Sequence, residues 1–259
     1  MNKQALIYEF MSNGSLERYK YKQGRSSLSS LFSILDWKEL YHIVSSITQG
    51  LDYLHERCNT KILHLDIKPQ NVLFDEKFCP KIADFGLAKI CKNDKSSRRT
   101  FSIRGTPGYI APEMFSRAYG GISYKSDVYG YGMLILEMME EKDDPHIRGS
   151  HGSESYFPDW LYKDLDEDFI YYRSLAFDKE DEIIIQKILL VGLCCIQIDP
   201  LKRPSIKGVV KMLQEDLNLI SRPQKSVMSS SPTFPLLSYS SASYSDVYKT
   251  NSIIEELNG

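Results

Sequence analysis

His64-Leu65-Asp66-Ile67-Lys68-Pro69-Gln70-Asn71, followed a short way on by Asp84-Phe85-Gly86, sets two carboxylates, a lysine and a carboxamide on neighbouring loops between apolar runs. Asn71 and Asp84 offer hard oxygen ligands that suit Mg²⁺, which takes few protein ligands and keeps waters and phosphate oxygens. Asp66 is then left to accept a proton or hydrogen bond from an attacking hydroxyl. Lys68 is left to neutralise charge on a phosphoryl group in transfer. Taken singly, a loop Asp or Asn is an ordinary turn former or helix cap. Order and spacing together make the set specific.

Short elements must hold these loops. Ile62 to Leu65 reads as a buried strand. Val72-Leu73-Phe74 and Lys81-Ile82-Ala83 read as two more, joined by the polar turn Asp75-Glu76-Lys77. Pro69 fixes one backbone torsion in the loop, and Gly86 permits an angle that a β-carbon resists. From Asp36 to about Arg57, Leu40, Ile43, Val44, Ile47, Leu51 and Leu54 form a helical stripe with Asp36 as N-cap. Ser123 to Lys142 is apolar nearly all round, as in a helix at the centre of a lobe. Asp178–Ile198 and Ser205–Ile220 read as further helices, and the vicinal Cys194 and Cys195 belong to core packing within the first of them.

The sequence resembles a eukaryotic protein kinase over residues 1 to about 221. His64 to Asn71 matches the catalytic loop, with Leu65 where most members carry arginine, and Asp84-Phe85-Gly86 matches the metal-binding motif. Ala111-Pro112-Glu113 is similar to the close of an activation segment, and Gly105 to Tyr109 to the floor on which substrate rests. Ser126 to Gly132 resembles the central helix of the large lobe. Asp199-Pro200 with Arg203-Pro204 resembles the motif whose arginine pairs with Glu113. Leu6 to Met11, Asn13-Gly14-Ser15-Leu16 and Cys195-Ile196-Gln197 are most similar to plant receptor-like kinases, within them the rust-resistance receptor-like group.

The resemblance implies an α+β protein-kinase-like fold, mainly the helical C-terminal lobe, with Leu6-Ile7-Tyr8 as the hinge strand of a small-lobe sheet. It implies ATP and Mg²⁺ as cofactors and protein serine or threonine as substrate. Asp66 and Lys68 become the catalytic pair, Asn71 and Asp84 the metal ligands, and the backbone of Glu9 and Met11 the adenine site. Asp127 is expected to accept hydrogen bonds from catalytic-loop amides and so to position Asp66 rather than react. Thr106 is expected to bond near Lys68 and Asp66, with a role in serine/threonine selection.

Departures from the pattern carry expectations too. Kinases place a Gly-rich loop, a strand lysine and a helix glutamate ahead of the hinge. No G-x-G-x-x-G precedes Tyr8 here, and Lys3 lies too close to the hinge to be the strand lysine. The chain alone is therefore expected to be an impaired kinase. The alternative is an inactive kinase remnant acting as a protein-binding module. The unpartnered apolar segment Leu6-Ile7-Tyr8 is expected to be an aggregation-prone edge. Leu65 cannot bind a loop phosphate as arginine would, so weaker dependence on phosphorylation of Ser96, Ser97, Thr100 and Ser102 is expected.

Composition narrows the rest. The chain has 259 residues, 42% hydrophobic and 25% charged, enough for a sizeable core. A net charge of −2 gives no reason to expect nucleic-acid binding or a basic membrane patch. Five cysteines without a C-x-x-C pair fit a reducing, cytoplasmic setting, at the cytoplasmic face of the plasma membrane for a longer receptor-like kinase. No signal peptide is visible, and no apolar run is long enough to span a bilayer. Asp143 to Ser155 reads as a surface loop with solvated His146 and His151. Residues 222–259, rich in Ser and Tyr, read as a disordered tail that offers phosphorylatable hydroxyls or is a passive extension.

Overall fold

The computed structural model describes residues 7–20, 36–91, 105–115, 120–139 and 176–223. All of them lie within one compact unit, Met1–Lys225. Ser96, Ser97, Thr100, Ser102, His146, His151 and the tail from residue 224 lie outside the described residues.

Helices dominate. Helix α1 spans Glu17–Lys20 and α2 spans Trp37–Asp52. Asp36 starts α2 as the sequence requires: its carboxylate accepts from the Glu39 amide at 2.7 Å, and the Glu39 carboxylate accepts from the Asp36 amide at 3.1 Å. This reciprocal cap satisfies two amide donors at the start of the helix. Leu40, Ile43, Val44, Ile47 and Leu51 are all buried along one stripe. The expected helix to Arg57 is formed, but its last turn, Tyr53–Arg57, is π-helical.

Helix α3 is the short Pro112–Phe115, and α4, Tyr124–Met139, is buried along nearly its whole length. Helix α5, Lys179–Cys195, packs across α4, and α6, Ile206–Gln214, packs on α2 and α5. The Cys195 side chain is fully buried in this core. The run expected to continue to Ile220 breaks after Gln214, because Asp216 caps a separate 3-10 turn at Leu217–Leu219. Among the described residues no helix is long and apolar enough to cross a membrane.

Two small antiparallel sheets flank the helices. Strand β1 (Gly14–Ser15) pairs with β3 (Val72–Phe74), which pairs with β4 (Pro80–Ile82), placing Gly14 opposite Phe74 and Val72 opposite Ile82. Strand β2 (Lys61–Leu63) pairs with β5 (Lys89–Cys91). The strand expected through Leu65 stops at Leu63, because the His64 and Leu65 amides turn to Asp127 instead of a ladder partner.

The hinge strand expected at Leu6-Ile7-Tyr8 is not formed over its described residues. Ile7 and Tyr8 carry no strand pairing and are 95% and 79% exposed. An apolar run predicts a strand only where a second strand can accept its amides, and among the described residues none does.

Candidate active site

The loop between β2 and β3 brings Asp66, Lys68 and Asn71 together. The Lys68 ammonium lies 2.7 Å from Asp66 Oδ2 and donates to Thr106 Oγ1 at 2.7 Å. The Thr106 hydroxyl in turn donates to Asp66 Oδ1 at 2.7 Å, closing a triangle. Asn71 Nδ2 donates to the Asp66 carbonyl at 2.9 Å and to Asp66 Oδ2 at 3.0 Å. Both amide hydrogens of Asn71 can therefore serve Asp66, which leaves its carboxamide oxygen as the remaining acceptor. Asp66 is largely buried, so these charge-assisted bonds act where water screens them little.

Asp127, on α4, holds the backbone of this loop. Its Oδ2 accepts from the His64 amide at 2.8 Å and its Oδ1 from the Leu65 amide at 2.6 Å. A buried carboxylate is costly unless donors surround it. Asp127 is only 1% exposed, and the expected role as a backbone anchor matches what is seen. The grip fixes Leu65 at φ 64, a left-handed conformation that costs a residue with a Cβ roughly 1 to 2 kcal/mol. Close approach is helped by Gly130: a Cβ there would sit 3.3 Å from the Tyr109 carbonyl and 3.4 Å from the Ile67 carbonyl. Tyr109 is tied to α4 by its hydroxyl, which donates to Glu137.

Asp84 reaches the same region by a second route. The Ala83 amide donates to the Asn71 carbonyl at 2.8 Å, and His64 Nε2 donates to the Ala83 carbonyl at 2.9 Å. His64 Nδ1 accepts from the Asp66 amide at 3.3 Å, so one imidazole ties both loops together. Phe85 packs edge-on against that ring with centroids 5.0 Å apart. Asp84 itself is left-handed at φ 60, and its Oδ1 accepts from the Gly86 amide at 3.1 Å.

Glu9 and Met11 fall elsewhere in the geometry. Glu9 is exposed, and the Met11 carbonyl accepts from the Gly14 amide at 3.1 Å. Among the described contacts no hydrogen bond joins either residue to the Asp66 cluster. The segment after them is fastened to β3 by Asn13, whose amide donates to the Phe74 carbonyl at 3.3 Å and whose side chain donates to the Asp75 carbonyl at 2.7 Å.

Sequence reasoning assigned no role to His64 or to His55, which contacts Asp127. His64 lies inside the catalytic-loop motif but has no signal of its own beyond that place. His55 lies on another element and gives none. No group of three or more His, Cys, Asp and Glu able to hold a metal is found among the described residues. Magnesium needs no such group: one or two protein oxygens suffice, the rest being phosphate and water. The carboxamide oxygen of Asn71 and the carboxylate of Asp84 fit that requirement.

Comparison with known proteins identifies the family. The protein kinase domain family matches residues 1–213. A PR5-like receptor kinase of Arabidopsis thaliana is 46% identical over 225 residues, covering 86% of this chain and 33% of that protein. Two leaf rust 10 disease-resistance locus receptor-like protein kinase-like proteins of the same plant, 2.1 and 2.3, are also similar. The first is 45% identical over 92% of this chain and 37% of its own length, the second 47% over 88% and 35%. The chain thus spans about a third of the length of the curated relatives it matches.

Proposed function

The chain belongs to the protein kinase family, and from that premise we propose that it transfers the γ-phosphoryl group of ATP to serine or threonine hydroxyls of a protein substrate. Asp66 accepts the hydrogen of the attacking hydroxyl as the bond from its oxygen to the γ-phosphorus forms and the bond to the ADP oxygen breaks. Lys68 lies against Asp66 and neutralises charge on the phosphoryl group in flight. Asn71 and Asp84 would hold Mg²⁺, which when bound offsets phosphate charge and orients the leaving group. Backbone groups of Glu9 and Met11 would take the adenine edge. Residues 1–221 form the catalytic unit in this reading and 222–259 a separate tail. The receptor kinase names of the relatives support a place at the cytoplasmic face of a membrane.

The observation that carries the reading is the closed triangle of Asp66, Lys68 and Thr106, with Asn71 fixing Asp66 from the other side. A carboxylate held this firmly near a cation and a carboxamide suits hydroxyl activation beside phosphate. The test is incorporation of labelled phosphate from ATP–Mg²⁺ into a generic protein substrate, with Asp84→Ala and Asp66→Asn as controls. Incorporation on serine and threonine that both changes abolish is expected. Label that persists in both variants, or none above background in the unaltered chain, would overturn the proposal and favour a binding module.

A further inference from the structure

Helix α2 runs into the π-helical turn Tyr53–Arg57, closed by the Cys58 amide donating to the Tyr53 carbonyl at 3.0 Å. In an α-helix, residues five apart stand about 140° from each other around the axis. A turn closed from i to i+5 brings them to one side, and single turns of this kind recur at functional sites. Here the turn sets Arg57 beside Asp52, and Arg57 Nε donates to Asp52 Oδ2 at 2.9 Å. The pair is uneven: the Asp52 side chain is 10% exposed and that of Arg57 69%. Among the described residues no donor meets Asp52 Oδ1, and no acceptor meets Arg57 Nη1 or Nη2. Both residues line a cavity of about 430 Å³ between α2 and α6, completed by Gln49, Tyr53, Val210 and Gln214. That volume lies within the roughly 300 to 1,000 Å³ of small-molecule sites.

We propose that this cavity binds a free α-amino acid with an apolar side chain, held as its zwitterion. The ligand ammonium donates to Asp52 Oδ1, and the ligand carboxylate accepts from Arg57 Nη1 and Nη2. A lone cation is repelled by Arg57 and a lone anion by Asp52, so a ligand that carries both charges is selected over either. The opposite charges of the site touch, and those of an α-amino acid are joined through one carbon, so Asp52 and Arg57 need not separate. Val210 and the half-exposed ring of Tyr53 offer apolar surface to the ligand side chain. The carboxamide oxygens of Gln49 and Gln214 are acceptors for the remaining ammonium hydrogens. None of these six residues belongs to the Asp66 cluster, so the site stands apart from the kinase reading.

Titration of the full chain with L-phenylalanine, followed through the Arg57 Nε–H and glutamine side-chain NMR signals, tests the proposal. Saturable shifts with a Kd on the order of 1 mM are expected. N-acetyl-L-phenylalanine lacks the ammonium and L-phenylalaninamide lacks the carboxylate; each is expected to bind at least about tenfold more weakly. The dipeptide alanyl-phenylalanine keeps both charges but separates them, and weaker binding by about the same factor distinguishes a free amino acid from a chain end. Asp52→Asn and Arg57→Leu are each expected to weaken L-phenylalanine binding on the order of tenfold or more. Arg57 is exposed enough that its replacement leaves the fold intact, so it decides the matter should Asp52→Asn unfold. No saturable shift up to about 20 mM, equal binding of all four ligands, or unchanged binding in a folded variant overturns the proposal.

Discussion

Arg203 meets Glu113 through two parallel hydrogen bonds of 2.8 Å each, and both side chains are wholly buried. The remaining guanidinium hydrogens go to carbonyls of Gln197, Lys125 and Ile198, so every donor has a partner. Ser126 adds a bond to Glu113 at 2.7 Å. The pair clamps α3 to the loop ahead of α6.

Breaking this pair from one side should be severe, because it strands a buried charge. Arg203→Ala is expected to lower stability by about 3 to 5 kcal/mol, read as a reduced urea midpoint. Arg203→Lys should recover little of that, since one ammonium cannot reproduce the two-pronged geometry. Replacing both partners with apolar residues of similar volume should cost far less than either single change. If Arg203→Ala unfolds at the midpoint of the unaltered chain, the pair contributes nothing and the clamp assignment is wrong.

Thr106 gives a sharper test of the site. Its hydroxyl accepts from Lys68 and donates to Asp66, so the oxygen matters and the methyl does not. Thr106→Ser should keep phosphotransfer near its starting rate. Thr106→Val keeps the shape, removes the oxygen, and is expected to lower kcat on the order of tenfold. Steady-state kinetics on the three proteins decide the matter; equal rates for the Ser and Val variants would remove Thr106 from the site.

The candidate site was legible in sequence because the groups that compose it are nearly contiguous. Asp66, Lys68 and Asn71 fall on one short loop, which keeps them together, while Asp84 on the next is brought in by the bonds of Ala83 to Asn71 and His64. The anchoring role of Asp127 came from resemblance and is matched by the bonds to His64 and Leu65. His55 was not legible: it lies on another element, and a histidine in an apolar helical stretch carries no mark of its partner. The early stop of β2 was hidden for a related reason. Leucine is a poor left-handed residue, so only the tertiary grip of Asp127 reveals why the strand ends at Leu63. The segment at Ile7 and Tyr8 reads as a strand without a partner, and over these described residues it carries no pairing and stays exposed.

Alkaline pH tests the burial of α5. Burial raises the Cys194 thiol from its usual 9.0 to about 11, and pushes the Cys195 thiol up as well. Between pH 9 and 11 the unfolded chain has released the Cys194 proton while the folded chain keeps it. The unfolded state therefore binds fewer protons, and stability falls as pH rises through that window. Lys125 and Lys187 act oppositely, because burial lowers both below 10.5 and the folded state gains as pH rises toward that value. The clean measurement is a difference: the stability of Cys194→Ala minus that of the unaltered chain should grow from pH 9 to 11. A flat difference across that range would mean that Cys194 ionises in the folded state as it does in the unfolded one.

The crossing of α4 and α5 depends on two glycines, and substitution there should oppose ordinary helix propensity. A Cβ at Gly192 would meet Leu136 Cγ and Cδ2 at 2.6 Å, and one at Gly132 would meet Cys195 Cβ at 2.6 Å. Leu136 is buried and has no free space to yield. Alanine at a helical glycine is ordinarily worth about 1 kcal/mol in favour of folding, but overpacking of this kind costs about 1 to 3 kcal/mol. Gly192→Ala is therefore expected to be destabilising. Gly208 in α6 is the control, since a Cβ there meets nothing closer than 3.4 Å and leaves the Ser205 cap intact. Gly208→Ala should raise the urea midpoint while Gly192→Ala lowers it, with unchanged m values marking a change in stability alone. Gains of equal size at both positions would show that α4 and α5 do not pack as closely as the crossing requires.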